Sequence, residues 1–189
     1  MGRVGRQLTD QELGTSYGRV RCMLSDLQFD SSYNELQDGN AAFLPPGSVV
    51  YRVKGYAPYF RLAARRNAQL LIYEADSNPT ARRGGDLLDL SGKVFTISVD
   101  SDTGDGTNEI AAITDMSEVD KLVGMVLAAP VNQRTDAGHA GTRYFLVFHL
   151  IDGTAVIRAY FRDTGELSRG ILTPPEFRAA IEGAASHAA

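Results

Sequence analysis

Residues 143–162 read RYFLVFHLIDGTAVIRAYFR, two apolar runs joined by Asp152-Gly153. Asp-Gly readily takes the positive φ angles of a tight two-residue hairpin turn, so this stretch predicts a β-hairpin. Side chains alternate along a strand. The first arm therefore puts Tyr144, Leu146, Phe148 and Leu150 on one face and Phe145, Val147, His149 and Ile151 on the other. An arm apolar on both faces belongs in the middle of a sheet or between two layers. The second arm alternates more clearly, with Val156, Arg158, Tyr160 and Arg162 on one face and Ala155, Ile157, Ala159 and Phe161 on the other.

Working outward from this hairpin, Asp163–Gly170 turns the chain. Thr173-Pro174-Pro175-Glu176 opens a last helix, with Thr173 as N-cap, Pro174 at the first helical position and Glu176 completing a capping box. Phe177, Ala180 and Ile181 form its apolar face and Gly183 is its expected end. Upstream, Asn132–Thr142 is a loop. Before it, Asp115 and Glu118 mark a helix start at which negative charge is favoured, and Val119, Leu122, Val123, Val126 and Leu127 keep helical spacing up to Pro130. Strands are predicted at Lys93–Val99 and Glu109–Ile113. The order from Lys93 onward is thus ββαββα, in which two helices can cover one face of a single antiparallel sheet.

The N-terminal half is strand-rich. Thr15–Met23 can form a short strand, and 25–40 reads as a long loop. Val49–Lys54, Phe60–Arg65 and Leu70–Glu74 read as a small antiparallel meander after the turn residues Pro45-Pro46-Gly47. The expected class is α+β with antiparallel sheets, the strand-rich part packed on the ββαββα part. Its expected divisions are a flexible N-terminus (1–14), a strand-rich subdomain (15–76), a linker or long loop (77–92), a ββαββα subdomain (93–183) and a tail (184–189).

Composition excludes some classes. The 189 residues suffice for one large domain or two small ones, and 43% apolar with 22% charged residues is ordinary for a folded protein. A net charge of −4 supplies no global positive field for nucleic acid or an anionic membrane. The single cysteine, Cys22, excludes an intramolecular disulfide and a cysteine-based zinc cluster. No apolar run approaches the roughly 18–20 residues that span a bilayer, and no cofactor is expected.

Residues that could carry chemistry are few. Asp100-Ser-Asp102-Thr-Gly104-Asp105 resembles the start of a calcium loop, but its third aspartate is one position late and position twelve is Ala111, so a solvated hairpin tip is the reading. His149 lies mid-strand without a metal-ligand spacing to a carboxylate, and GxSxG, Walker and GxGxxG patterns are absent. Arg61, Arg65, Arg66, Arg82 and Arg83 interleave with Tyr56, Tyr59, Phe60 and Tyr73. They form either an anionic-ligand or partner surface or ordinary outward positions on a sheet, and the second reading is preferred. Arg158, Tyr160, Arg162 and Arg169 could likewise make a polar face that pairs with Asp163 and Glu166. The candidate ligand or partner surface is Arg61, Tyr59, Tyr73, Arg158 and Tyr160.

Leu13-Gly14, Gly18-Arg19-Val20, Asp38-Gly39-Asn40-Ala41-Ala42-Phe43-Leu44-Pro45-Pro46-Gly47 and Val50–Tyr56, with Ile113-Thr114-Asp115 and the Tyr144–Tyr160 hairpin, resemble an uncharacterised class of cell-envelope proteins of Gram-positive, actinobacterial type. Many of that class are lipoproteins, with a lipobox cysteine or membrane segment before the domain. The resemblance implies an extracytoplasmic ligand-binding or interaction domain and transfers no catalytic residue. The expected location is the envelope in the full-length protein, or the cytoplasm if no export signal was removed. The reading leans away from an enzyme. Its alternatives are a small hydrolase or transferase using His149, Arg158 or the acidic loop at a site between the two subdomains, and a protein inhibitor or immunity-type module. The partner, protein or small molecule, is left open.

Overall fold

The computed structural model describes residues 8–23, 38–75, 78–102, 108–132 and 142–186. Most of the loop expected at 25–40, the tip of the acidic loop (103–107) and most of the loop expected at 132–142 lie outside them. The class is α+β with antiparallel sheets. The described residues divide into two compact units, 8–75 and 78–186.

In the first unit, β1 (Leu13–Arg19) is followed by two short strands, β2 (Cys22–Met23) and β3 (Asn40–Ala41), which pair in parallel. The meander follows as β4 (Val49–Val53), β5 (Arg61–Arg66) and β6 (Gln69–Glu74), and the main sheet has the order β1-β4-β5-β6. Leu8, Val53, Ala63 and Leu70 gather in one cluster and Val20, Leu44 and Ala64 in another, on opposite faces of the sheet since Ala63 and Ala64 are consecutive in β5. The N-terminal expectation needs correction here. Leu8 is buried, Asp10–Glu12 form a 3-10 turn closed by the Thr9 amide donating to Glu12 at 2.8 Å, and β1 begins at Leu13.

In the second unit, β7 (Val94–Asp100) and β8 (Glu109–Ile113) form one hairpin, and β9 (Arg143–Leu150) and β10 (Ala155–Phe161) the other. Two-residue strands β11 (Glu166–Leu167) and β12 (Ile171–Leu172) extend the sheet, giving the order β12-β11-β10-β9-β7-β8. β9, apolar on both faces, is central as expected. The turn after it is longer than two residues. The Gly153 amide donates to Leu150 O at 2.8 Å and the Leu150 amide to Thr154 O at 2.9 Å, with Gly153 alone at positive φ (81°). That is the three-residue hairpin loop, a turn followed by a left-handed residue. Asp152 Oδ1 closes it by accepting from the Thr154 amide at 2.8 Å and hydroxyl at 2.7 Å.

Helices α1 (Met116–Ala128) and α2 (Pro175–Ser186) pack on this sheet. Asp115 caps α1 by accepting from the Glu118 amide at 2.9 Å, and Val119, Leu122, Val123 and Val126 are its buried stripe. Asp115→Ala is expected to lower stability by about 1 kcal/mol, the usual worth of such a cap. Urea denaturation would check it, and a wild-type midpoint would refute it. The start of α2 is one residue later than expected, because the Thr173 hydroxyl is spent on Gly165 O at 2.5 Å. Gly183 does not end the helix, which runs on to Ser186. Segment 78–92 is part of the second unit: it makes a 3-10 turn at Gly84–Asp86 and buries Leu87, Leu88 and Leu90.

Candidate functional site

One face of the six-stranded sheet carries Ile97, Val99, Leu146, Phe148, Leu150, Val156 and Tyr160, all fully buried. The alternate residues of β7, namely Thr96, Ser98 and Asp100, therefore turn to the opposite face. Register places Thr96 beside His149, Ser98 beside Val147 and Asp100 beside Phe145. Three hydrogen-bonding side chains in an interior strand of the sheet need partners, since an unpaired buried polar group is costly.

Two β-bulges supply the surroundings. β7 opposes β9 with an extra residue between Val94 and Thr96, which aims Phe95 beside the His149 ring at 6.2 Å between centroids and leaves it 45% exposed. β8 opposes β7 with an extra residue, Ile110, between the pairs Val99–Ala111 and Asp100–Glu109. A regular ladder would put Ile110 opposite Asp100 and turn Glu109 to the other face; the bulge brings Glu109 over instead. Ser98 Oγ then donates to Glu109 Oε2 at 2.7 Å and stands 2.8 Å from His149 Nε2. Asp100 is 3% exposed and its Oδ1 has no hydrogen-bond partner. Burial first, and the Glu109 charge second, push its carboxyl above the ordinary aspartate range.

The chemistry of this cluster follows from one proton. The Ser98 hydroxyl donates to the Glu109 carboxylate, so its proton is directed at Glu109 and not at the imidazole, whose role at the 2.8 Å contact depends on its tautomer. A nucleophilic serine requires the reverse, with the imidazole accepting the hydroxyl proton. Ser98 is also 1% exposed, which bars an incoming acyl carbon. Among the described residues no group of three His, Cys, Asp or Glu side chains is arranged to hold a metal ion. An open cleft of about 440 Å³ lies elsewhere in this unit, lined by Ala112, Thr114, Glu118, Ala180 and Gly183, but the Asp115 carboxylate at its rim is engaged in capping α1.

Of the five residues expected to form a ligand surface, three are buried. Arg61 is 1% exposed, its guanidinium paired to Glu74 Oε1 at 2.7 Å and lying 4.8 Å from the Tyr56 ring centre and 5.1 Å from that of Phe60. Arg158 and Tyr160 are also buried: the arm carrying the cations is turned to the core, where Tyr160 meets Phe177 edge-on at 5.8 Å. Burial raises the Tyr160 hydroxyl pKa. The long Arg158 stem suits that apolar setting, and its Nη1 donates to Ile157 O at 2.8 Å. Tyr59 and Tyr73 alone of the five are exposed, at 49% and 40%. Arg158 and His149 lie on opposite faces of the sheet, so they cannot share one site. Asp102 of the acidic loop pairs with Arg143. The signal that could have found the cluster was the polar alternation Thr96, Ser98, Asp100 inside an apolar strand.

No protein-family model, no curated protein and no solved structure matches this chain.

Proposed function

We propose that the chain is a non-enzymatic ligand-binding or protein-interaction domain that works at the cell envelope. The observation that carries the first half is the burial of Ser98, 1% exposed and held between Glu109 Oε2 and His149 Nε2, while the Phe95 ring is exposed beside the half-buried His149. Ile157, one register step from His149 on the same face, is 43% exposed. Large exposed side chains gathered in this way suit contact with another molecule better than turnover of one. The envelope half rests on the resemblance of the turn and strand segments. No helix among the described residues is long and apolar enough to cross a membrane.

The inhibitor-type reading has its own support in the first unit, where Tyr17, Phe43, Tyr59 and Tyr73 are all at least 40% exposed. Two of these rings already carry a guanidinium, Arg52 at 5.3 Å from Tyr17 and Arg66 at 5.4 Å from Phe43. Arginine on an aromatic face is common where surfaces meet partners.

The test has two arms. Wild type and His149→Ala are assayed on chromogenic esters, phosphoesters and glycosides, and both are expected to be inert. Turnover that vanishes in His149→Ala would overturn the reading. In parallel, thermal shift is measured against sugars, nucleotides, divalent cations and cell-wall fragments, since a ligand of the folded state raises Tm. A shift lost in Phe95→Ser would support binding at this face.

A further inference from the structure

We propose that Asp100, Glu109, Ser98 and His149 form a proton-operated switch at the edge of the six-stranded sheet, in which proton uptake by Asp100 firms β8 onto β7 and proton loss loosens it. The inference concerns the sheet itself and stands whether or not the neighbouring face binds a partner.

The geometry is that of two carboxylates brought to one spot by a bulge. β8 is the outermost strand on its side, and its register slips at the pair Asp100–Glu109. Beyond that pair the hairpin is closed by the Ser101 amide on Asn108 O at 2.9 Å and Asn108 Nδ2 on Ser101 Oγ at 2.8 Å. Glu109 is exposed and accepts from the Ser98 hydroxyl. Asp100 is buried with one oxygen unpartnered, and a buried ion beside a like charge is unstable unless it takes up a proton.

Among the described residues, the other groups facing Asp100 do not supply a counter-charge of its own. On β9 the Arg143 guanidinium goes to Asp102 and lies 5.0 Å from the Phe145 ring centre, and the His149 Nε2 goes to Ser98. On β10 this face carries Ala155, Ile157, Ala159 and Phe161, none of which titrates. On β7 it carries Thr96 and Ser98. The oxygen that lacks a partner is closed to solvent.

The direction of the pH effect follows. Because the folded state raises the affinity of Asp100 for its proton, the folded protein holds more protons than the unfolded chain between the ordinary aspartate value of 3.8 and the raised one. Stability from this group is greatest below 3.8 and falls as pH rises through the folded value. Glu109 sits across the bulge, so its amide and those of its strand neighbours report the change. Ser98 links Glu109 to His149, and through it to Phe95.

The experiment is an NMR titration of the Asp100 carboxyl carbon with amide-exchange rates of 109–113, corrected for intrinsic exchange and referenced to β10. The expected midpoint lies above 3.8, with β8 protection falling severalfold through that midpoint while β10 stays constant. Asp100→Asn, neutral and of the same shape, should keep β8 protected at every pH. Glu109→Gln should move the Asp100 midpoint down. An Asp100 midpoint at or below the ordinary value overturns the proposal. So does β8 exchange that ignores the midpoint, that persists unchanged in Asp100→Asn, or that follows the His149 titration instead. A Glu109→Gln protein with an unmoved Asp100 midpoint does the same.

Discussion

Gly84→Ala is expected to destabilise the second unit by about 3 kcal/mol or more, as overpacking against immovable atoms does. A Cβ built at Gly84 would lie 2.0 Å from the Val126 carbonyl oxygen of α1 and 3.0 Å from its carbon. Both neighbours are backbone, so no rotamer change relieves the clash. The 3-10 turn that begins at Gly84 is also tied to the end of the same helix, its amide donating to Ala129 O at 2.9 Å, with Arg83 and Pro130 forming a β-bridge. The turn must therefore retreat from α1 or α1 must shift from β7. For a chain of this size a loss of 3 kcal/mol corresponds to a fall in Tm of roughly 6–12 °C. Gly124→Ala supplies the contrast, because Gly124 is exposed in the interior of α1 with nothing within 4 Å of a built Cβ. There the substitution should stabilise by about 0.5–1 kcal/mol through lower backbone entropy of the unfolded chain. Thermal denaturation of both variants checks the pair, and equal Tm values would refute the close approach.

The second large effect is expected in the first unit. Arg61→Ala should cost about 3 kcal/mol, toward the lower end for breaking a buried ion pair because Glu74 keeps 23% of its side chain exposed. The substitution removes two hydrogen bonds to Glu74, at 2.7 and 3.1 Å, and opens a space beside the Tyr56 and Phe60 rings. Arg61→Met with Glu74→Leu should recover most of the loss, since well-packed apolar residues often replace a buried pair without penalty. Urea denaturation followed by tyrosine fluorescence measures both. A folded, wild-type-stable Arg61→Ala protein would refute the contribution of the Arg61–Glu74 pair to stability. A double variant no better than Arg61→Ala would assign the effect to lost packing on the rings rather than to the stranded carboxylate.

The two residues illustrate where reading the chain works and where it does not. Alternation in 143–162 and the 3.6-residue stripe after Asp115 are local patterns, and the hairpin, the central place of β9 and the cap of α1 follow from them. The side of the sheet that a helix covers is not local. Arg158 and Tyr160, read with Arg162 and Arg169 as a polar face, stand on the side of β10 that faces the core, and the stem of Arg158 lies within it. Arg61 was misplaced for the same reason: its charge suggested water, but its partner Glu74 arrives from the neighbouring strand, where the register sets Arg61 opposite Glu74.

By itself, then, the sequence determined the class of fold, most of the strands and the start of α1, because each rests on periodicity and capping within a few residues. Only the tertiary structure decided that Gly84 must be glycine, since the reason is a carbonyl more than forty residues away in the chain. It also decided the candidate site. Thr96, Ser98 and His149 fall within the strands expected from sequence, whereas Asp100, expected in a solvated hairpin tip, is the buried last residue of β7, and Glu109 joins them through one extra residue, Ile110, in the ladder. A bulge is a property of two strands paired against each other, and a single strand carries no mark of it.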